Sequence, residues 1–330
     1  MKTDKSQVKK ILLITLSNLG DIILTTPVLE KLHDEFPEAW IDVLTGNPGE
    51  AIFTRHPGVR KISFFKKHRT LSKRSEQVIK LRSKKYDLVI DLKNSLIPYL
   101  VGAKYHSRLS VFPSKKVNHK KDEHLSKLKG LVADPFSNNR FFIPVPDEDR
   151  KFIDEALTHD ADRKLIVVNP GAKSELKRWP AWKFRKLIRR ITTRTDSRIF
   201  VIGNEDDKAT AEKVTSEKNG SVVNMCCKTS LGALAELIRR ADLVITNDSA
   251  PLHVASAVGT PTVAIFGPTD EKKYGPLAEG SIVMSPEVDC RPCEKPDCRK
   301  KREVRCISGV RTKKVFEAAR EILDKGEDSS

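Results

Sequence analysis

The segment 169–180 has the composition of a diphosphate-binding loop. It follows a strongly apolar run, and the small residues Gly171 and Ala172 leave backbone amides accessible. Lys173 and Lys177 then precede a predicted helix that begins near Pro180. Backbone N–H groups with a lysine at the start of a helix stabilise a diphosphate. An ordinary loop with exposed lysines is the alternative interpretation.

A second polar loop, at residues 246–250, also follows an apolar run and leads into a predicted helix. Asp248 or Ser249 is suited to cap that helix, and Ala250 is followed by a proline, which fits the first turn. The positive end of the helix dipole stabilises an anion there. Asp248 is also able to accept hydrogen bonds from sugar hydroxyls, with helix capping as the alternative.

Two further loops place acids directly after apolar runs. The loop 203–207 includes Glu205, and an acid just beyond a strand can bind ribose hydroxyls. Helix capping by Asp206 is the alternative there. In the loop 17–21, Gly20 permits a tight turn and Asp21 falls in the first turn of the next helix. For Asp21 the alternative is again an N-cap.

Four cysteines lie within 17 residues of a basic segment, at Cys290, Cys293, Cys298 and Cys306. A Cys-x-x-Cys pair is half of a thiolate metal site, although the second pair is spaced more loosely than in a standard zinc ribbon. We predict a structural zinc site in preference to an iron–sulfur cluster. A reduced or redox-labile loop is the alternative.

The elements that must position these residues alternate between strands and helices along the whole chain. This order predicts parallel sheets with helices on both faces, an α/β fold. The pattern restarts after residue 160, so we predict two doubly wound domains, 1–160 and 161–330, with a closing helix at 312–324. Ligands of such sheets bind at the carboxyl ends of the strands, and the two facing sheets are expected to leave a cleft there.

The chain has 330 residues and a formal net charge of +17. Residues 54–85 contain 12 Lys/Arg and one acid, and residues 104–121 contain six Lys/Arg and no acid, so the basicity belongs to the first half. This charge favours an acidic partner: nucleic acid, an anionic membrane surface or an acidic substrate. A solvated face is the alternative. The sequence has no G-x-G-x-x-G after a strand and no P-loop motif, which argues against the usual nucleotide-binding oxidoreductases and NTPases.

The chain resembles glycosyltransferase family 9, the lipopolysaccharide heptosyltransferases. The matching stretches fall within residues 8–325 and include LSNLGDIILTTPVL, NPGAKSELKRWP, IGNED and NDSAPLHVASAVGTPTVAIFGPTD. The resemblance implies a GT-B fold of two facing Rossmann-like domains, in which the first binds the acceptor and the second binds the nucleotide-sugar. It also implies an inverting transfer from an ADP-activated heptose that requires no cofactor.

The resemblance assigns roles residue by residue. Asp21 matches the general base, and Lys177 matches the lysine that contacts the donor diphosphate. The other donor-binding positions that it implies are Ala172, Lys173, Glu205, Asp248, Ser249 and Ala250, and the accessible backbone amide adds Gly171 as a predicted donor contact. Ser249 and Ala250 stand where the family usually has Thr-Gly, and the Cβ of Ala250 restricts the approach of a phosphate to its amide.

For partners, we expect an ADP-sugar donor and an acidic, lipid-linked acceptor bearing Kdo or heptose. Lys66, Lys67 and Arg69 are the predicted acceptor contacts. The apolar run near the N-terminus is too short for a signal peptide, so we expect a cytoplasmic protein. The same charge is expected to hold it at the anionic inner face of the inner membrane. One alternative is a member of the same family that uses another sugar or glycan acceptor. The other is a basic zinc-knuckle protein that binds nucleic acid, and an aromatic content of only 6% argues against it.

Overall fold

The structure, a computed structural model, describes residues 5–65, 71–109, 119–158, 163–216, 220–295, 297–298 and 305–325. The chain divides into two compact units, Met1–Pro144 and Val145–Ser330. Each unit is built on a parallel sheet with helices, so the predicted α/β class is confirmed. None of the described helices combines the length and the apolar character needed to cross a bilayer.

The sheet of the first unit has the strand order β3-β2-β1-β4-β5. Its strands are β1 Lys10–Ile14, β2 Trp40–Thr45, β3 Val59–Phe64, β4 Leu88–Asp91 and β5 Tyr105–His106. The helices between and after them are α1 Leu19–Ile23, α2 Thr26–Glu35, α3 Glu50–Phe53, α4 Leu71–Arg82, α5 Ile97–Val101 and α6 Lys120–Ser126. Strand β1 is central and is apolar over its whole buried length, because helices cover both faces of a parallel sheet.

The segment after β1 forms two helices, although the apolar spacing predicts one helix reaching to about Phe36. Helix α1 ends at Ile23, and α2 begins at Thr26 with Pro27 in its first turn. Proline has no N–H to donate and fits the first turn of a helix but not its interior. The Thr25 hydroxyl donates to the carbonyl of Ile22 (2.6 Å) at the junction. The proline therefore marks the start of the second helix.

The sheet of the second unit has the order β11-β10-β9-β6-β7-β8. Its strands are β6 Lys164–Asn169, β7 Ser197–Val201, β8 Val222–Asn224, β9 Leu243–Asn247, β10 Thr262–Ile265 and β11 Ile282–Met284. The helices are α7 Asp147–Leu157, α8 Ala181–Thr192, α9 Lys208–Val214, α10 Leu231–Arg240, α11 Ala250–Val258, α12 Glu271–Tyr274, α13 Arg305–Ser308 and α14 Thr312–Lys325. The strand order reverses between β6 and β9, and such a switch point is where open α/β sheets bind ligands.

The boundary between the units lies at Pro144, earlier than the predicted position near residue 160. The reason is α7, which packs on α10 and so belongs to the second unit. Asp154 lies 2.6 Å from the Arg240 guanidinium, and Asp149 accepts a 2.7 Å hydrogen bond from Ser230. These partners are about 80 residues away in sequence, so no local pattern could have assigned the helix.

Candidate functional site

Two asparagines lock together the loops that leave β6 and β9. Strand pairing sets Asn169 opposite Thr246, so the carboxyl ends of the two strands are adjacent. The Asn169 amide donates to the carbonyl of Gly171 (3.1 Å) and to the hydroxyl of Ser249 (2.8 Å). The Asn247 amide donates to the carbonyl of Pro170 (2.9 Å). Because these buried polar groups satisfy one another, both loops have a defined geometry.

Trp179 fixes the far end of the same loop. Its backbone N–H donates to the Asn247 side chain (3.1 Å), and its indole N–H donates to the carbonyl of Val310 (3.1 Å). The ring is fully buried and packs edge-on against Phe184 of α8. The predicted diphosphate loop is therefore held at both ends by the core of the second unit.

Lys177 and Asp248 form an ion pair between these two loops. The ammonium nitrogen lies 2.6 Å from Asp248 Oδ2, outside hydrogen-bond geometry, and the Asp248 side chain is 4% exposed. A carboxylate this deeply buried requires a compensating charge. The Lys177 side chain is one-third exposed, so its ammonium also reaches the surface. The structure thus brings together two predicted donor-binding residues that lie 71 positions apart in the sequence.

Gly171 is required by a close approach to Asp207. A Cβ at position 171 would lie 2.2–2.3 Å from the Asp207 carboxyl atoms, which is a severe clash. The Asp207 carboxylate accepts a hydrogen bond from the Asn204 N–H (3.2 Å) and lies 3.3 Å from the Arg178 guanidinium. Arg178 also donates to the carbonyl of Ala172 (2.7 Å). Asp207 and Arg178 therefore hold the loop in place through contacts with Gly171 and Ala172.

Sequence reasoning missed Asp207 and Arg178 as supports of the diphosphate loop. The signal that could have found Asp207 is the spacing of Asn204 and Asp207, which form a capping box around a short 3-10 turn. Capping at this position therefore uses Asp207 and not Asp206, the residue that the alternative interpretation favoured. Glu205 is exposed on the same turn, with its carboxylate 3.7 Å from Lys208. Its role toward ribose stays a prediction.

Ser249 is the N-cap residue of α11 by its backbone, with φ −155° and ψ 177°. Its hydroxyl does not cap the helix but contacts the Asn169 amide and the carbonyl of Asn247 (3.2 Å). Asp248 is turned toward Lys177, so neither side chain neutralises the first turn of α11. The positive end of the helix dipole at Ala250 is consequently available to an anion.

Asp21 lies in the first turn of α1, in the first unit. Asn18, not Asp21, is the N-cap residue, and its amide donates to Asp21 Oδ2 (2.9 Å). The N-cap alternative for Asp21 is therefore wrong. The carboxylate is half-buried and lies within electrostatic range of the buried His124. Burial lowers the pKa of His124 to about 4, against the opposing effect of Glu123 and Asp21. His124 is consequently neutral near pH 7.

Lys93 lies beside the Asp21 loop, at the carboxyl end of the neighbouring strand β4. Its ammonium donates to the Ser17 hydroxyl (3.2 Å) and stands 3.5 Å above the centre of the Phe65 ring. Burial lowers the pKa of Lys93, against the opposing effect of Asp91. Sequence reasoning missed this lysine, since only strand pairing places it near Ser17. The predicted acceptor contacts Lys66, Lys67 and Arg69 lie outside the described residues.

Cys306 lies within electrostatic range of the other three cysteines of the basic segment. Cys306 is buried at the start of α13, and burial together with Cys290, Cys293 and Cys298 raises the pKa of its thiol. The backbone N–H of Cys293 donates to the carbonyl of Pro268 (3.0 Å), beyond the end of β10. Within the described ranges, no three His, Cys, Asp or Glu side chains are arranged to hold a metal ion. The zinc site stays a prediction, which elemental analysis of the purified protein would test.

The family profile and the curated relatives identify one family. Residues 76–303 match the sequence profile of glycosyltransferase family 9 (heptosyltransferase). A lipooligosaccharide heptosyltransferase 2 of Campylobacter jejuni is 29% identical over 316 residues, which is 92% of this chain and 95% of that protein.

Two solved structures are similar over nearly the whole chain. A family 9 glycosyl transferase from Veillonella parvula superposes with a TM-score of 0.78 and 25% identity, covering 98% of this chain and 99% of that one. The E. coli ADP-heptose lps heptosyltransferase II superposes with a TM-score of 0.74 and 20% identity, covering 96% and 99%. The expected GT-B architecture is thereby confirmed. This chain belongs to glycosyltransferase family 9, the heptosyltransferases.

Proposed function

We propose that this glycosyltransferase transfers a heptose from ADP-heptose to an acidic lipopolysaccharide core acceptor, with inversion at the anomeric carbon. The observation that carries the proposal is the Lys177–Asp248 ion pair, fixed on interlocked loops at the switch point of the second sheet. One residue of this pair is suited to a diphosphate and the other to sugar hydroxyls. The names of the similar proteins, including an ADP-heptose transferase of known structure, support the choice of donor.

The second unit binds the donor and stabilises its leaving group. Negative charge builds on the departing ADP as the bond to the sugar breaks. Lys177, the backbone amides of Gly171–Lys173 and the start of α11 at Ser249 would offset that charge. Glu205 would contact the ribose. Because these donors neutralise the diphosphate, we propose that catalysis requires no metal ion, so turnover should persist in EDTA.

The first unit supplies the base. The acceptor hydroxyl oxygen forms a bond to the anomeric carbon while the bond between that carbon and the β-phosphate oxygen breaks, and the electron pair leaves with ADP. Asp21 accepts the hydroxyl proton. A positioned carboxylate base contributes about 10²–10⁴-fold in rate. The contact from Asn18 restrains the Asp21 carboxylate, and its partial exposure leaves it accessible to the acceptor.

The basic first unit is suited to an acidic acceptor. Lys66, Lys67 and Arg69 are the proposed contacts for the carboxylates or phosphates of a Kdo-bearing lipid core. The same charge would hold the enzyme at the inner face of the inner membrane, at about 1 kcal/mol for each basic residue near an anionic surface.

The direct test is release of ADP from ADP-heptose in the presence of Kdo-lipid A. The purified protein should release ADP only when both substrates are present. A parallel thermal-shift screen with ADP-, GDP- and UDP-sugars identifies the donor, because a bound nucleotide-sugar stabilises the folded state. If the enzyme releases the nucleotide from a different nucleotide-sugar and not from ADP-heptose, the alternative is favoured, namely a family 9 enzyme with another donor. The absence of stabilisation by every nucleotide-sugar would contradict the proposal.

A further inference from the structure

Helices α4 and α5 form a layer on one face of the first sheet. Leu81 of α4 and Val101 of α5 are buried in the same core cluster, together with β1 and β4 residues. Side chains two positions away on a helix point to roughly the opposite side. Ile79 and Tyr99 are those positions, and both are exposed. The outer side of this layer is therefore not uniformly polar.

Large apolar side chains are concentrated on this outer side. Ile79 is 66% exposed, Leu96 60%, Tyr99 48% and Leu100 53%. Exposed large apolar residues elsewhere in the described chain are dispersed, such as Trp182 on α8. Single exposed apolar residues are normal, whereas a cluster marks a surface that contacts a partner.

The segment that contains both helices is strongly basic. Residues 71–109 contain nine Lys/Arg and three acids. Two of these acids point at backbone amides: Asp87 accepts from the N–H of Lys10 (2.9 Å), and Asp91 accepts from the N–H of Lys93 (2.8 Å). On α4, Lys80 and Arg82 are exposed beside Ile79. The third acid, Glu76, is exposed on α4. A surface that combines apolar side chains with exposed lysine and arginine complements anionic lipid headgroups.

We infer that this surface, the α4–α5 face, docks on an anionic phospholipid bilayer. We define it by Ile79, Leu96, Tyr99 and Leu100 with Lys80 and Arg82. The apolar side chains enter the headgroup region, and the two cations contact lipid phosphates. The biological reason for this contact rests on the proposed function, since a lipid-linked acceptor is itself held in a membrane.

The position of the face also fits that role. Leu96 follows the loop at the carboxyl end of β4, and β4 pairs with β1, whose own carboxyl end leads to the Asp21 loop. The Leu96 end of the α4–α5 face therefore lies at the same edge of the first sheet as the Asp21 loop.

The test is cosedimentation of the full-length protein with vesicles of phosphatidylethanolamine and phosphatidylglycerol, compared with phosphatidylcholine vesicles. We expect binding to the anionic vesicles that weakens at high salt. The K80Q/R82Q variant should bind about 25-fold more weakly, because each basic residue near the surface contributes about fivefold. The I79E/L100E variant should lose at least about tenfold.

Matched controls lie on α8 of the second unit. Arg185→Gln with Lys186→Gln removes two exposed cations from a basic helix, and Trp182→Glu removes an exposed apolar side chain. Both should leave vesicle binding unchanged. Equal loss in the control and α4–α5 variants would overturn the proposal.

Two further measurements distinguish membrane docking from self-association and from misfolding of the variants. If the α4–α5 variants change the protein from a dimer to a monomer in light scattering without changing vesicle binding, the face contacts a second copy of the chain and the proposal is wrong. Circular dichroism checks that the variants fold. Vesicle binding is measured without substrate, so a failure of the proposed heptosyl transfer would not affect this result.

Discussion

The carboxyl edges of the two sheets differ in how their functional side chains are held. In the second unit, Asn169, Asn247 and Asp207 are buried, and together with Lys177 and Asp248 they constrain one another through hydrogen bonds and ion pairs. In the first unit, Asp21 is half-buried and receives a hydrogen bond from Asn18. A leaving diphosphate is best stabilised by groups already fixed in place. A base, by contrast, must remain accessible to the incoming alcohol.

The largest expected effect is on the accessible carboxylate. Asp21→Asn keeps the shape of the side chain but removes the proposed base, so kcat should fall by about 10²–10⁴-fold. The affinity for ADP should not change, because the proposed donor-binding residues belong to the second unit. Single-turnover kinetics and calorimetry measure the two quantities separately. Normal turnover by this variant would eliminate Asp21 as the base.

The two units should lose stability over different pH ranges when the solution is acidified. The pKa of His124 is lowered to about 4 from an ordinary value of 6.5, so the unfolded chain takes up a proton first. The free energy of unfolding of the first unit should therefore fall as the pH drops from about 6.5 to 4, by up to about 3 kcal/mol. Hydrogen bonds from Arg239 and Arg240, against burial, lower the pKa of the buried Glu236 to about 2. Its contribution in the second unit should be lost only between about pH 4.5 and 2.

Tryptophan fluorescence can follow the two units in one pH series. Trp40 reports on the first unit, and Trp179 with Trp182 reports on the second, so W40F separates their signals. In His124→Gln the loss of stability between pH 6.5 and 4 should be smaller. If both units lost their stability over the same pH range, the predicted difference between them would be wrong.

The next largest effect is expected from a substitution of Gly171, which lies at the carboxyl edge of the second sheet. Gly171→Ala places a Cβ against the Asp207 carboxylate and should destabilise the second unit by about 1–3 kcal/mol, with weaker ADP binding. Gly220→Ala is the matched control, because a Cβ at that position meets no atom of the described structure within 4 Å. Thermal denaturation and ADP titration of both variants make the comparison. If both variants had the same thermal stability and the same affinity for ADP, the close contact between Gly171 and Asp207 would not be needed for folding or for ADP binding.

The smallest expected effect is a weaker affinity for ADP after removal of one positive charge from the proposed diphosphate site. Lys177→Met should raise the Kd for ADP about tenfold, as expected for a hydrogen bond from a charged group. Lys173→Met, on an exposed part of the same loop, should have a weaker effect. Calorimetric titration measures both. Unchanged ADP affinity in Lys177→Met would mean that this lysine serves Asp248 alone.

Local sequence patterns predicted the strands and the loops at their ends, since buried parallel strands need long apolar runs and the turns need small or capping residues. The junction at Pro27 was also readable from the sequence, because proline does not fit a helix interior. What the sequence could not supply were contacts between distant segments. Three acids occur in a row at residues 205–207; the spacing from Asn204 could have marked Asp207 as the capping acid, but its contact with Gly171 appears only in the packed structure.

The indole of Trp179 has a consequence for synthesis on the ribosome. Its partner is the carbonyl of Val310, 131 residues later in the chain. A nascent chain that stops short of residue 310 lacks this anchor, so the loop that carries Lys177 is not fully held until most of the second unit has emerged. Nascent chains arrested before and after residue 310 should accordingly differ in their retention on immobilised ADP.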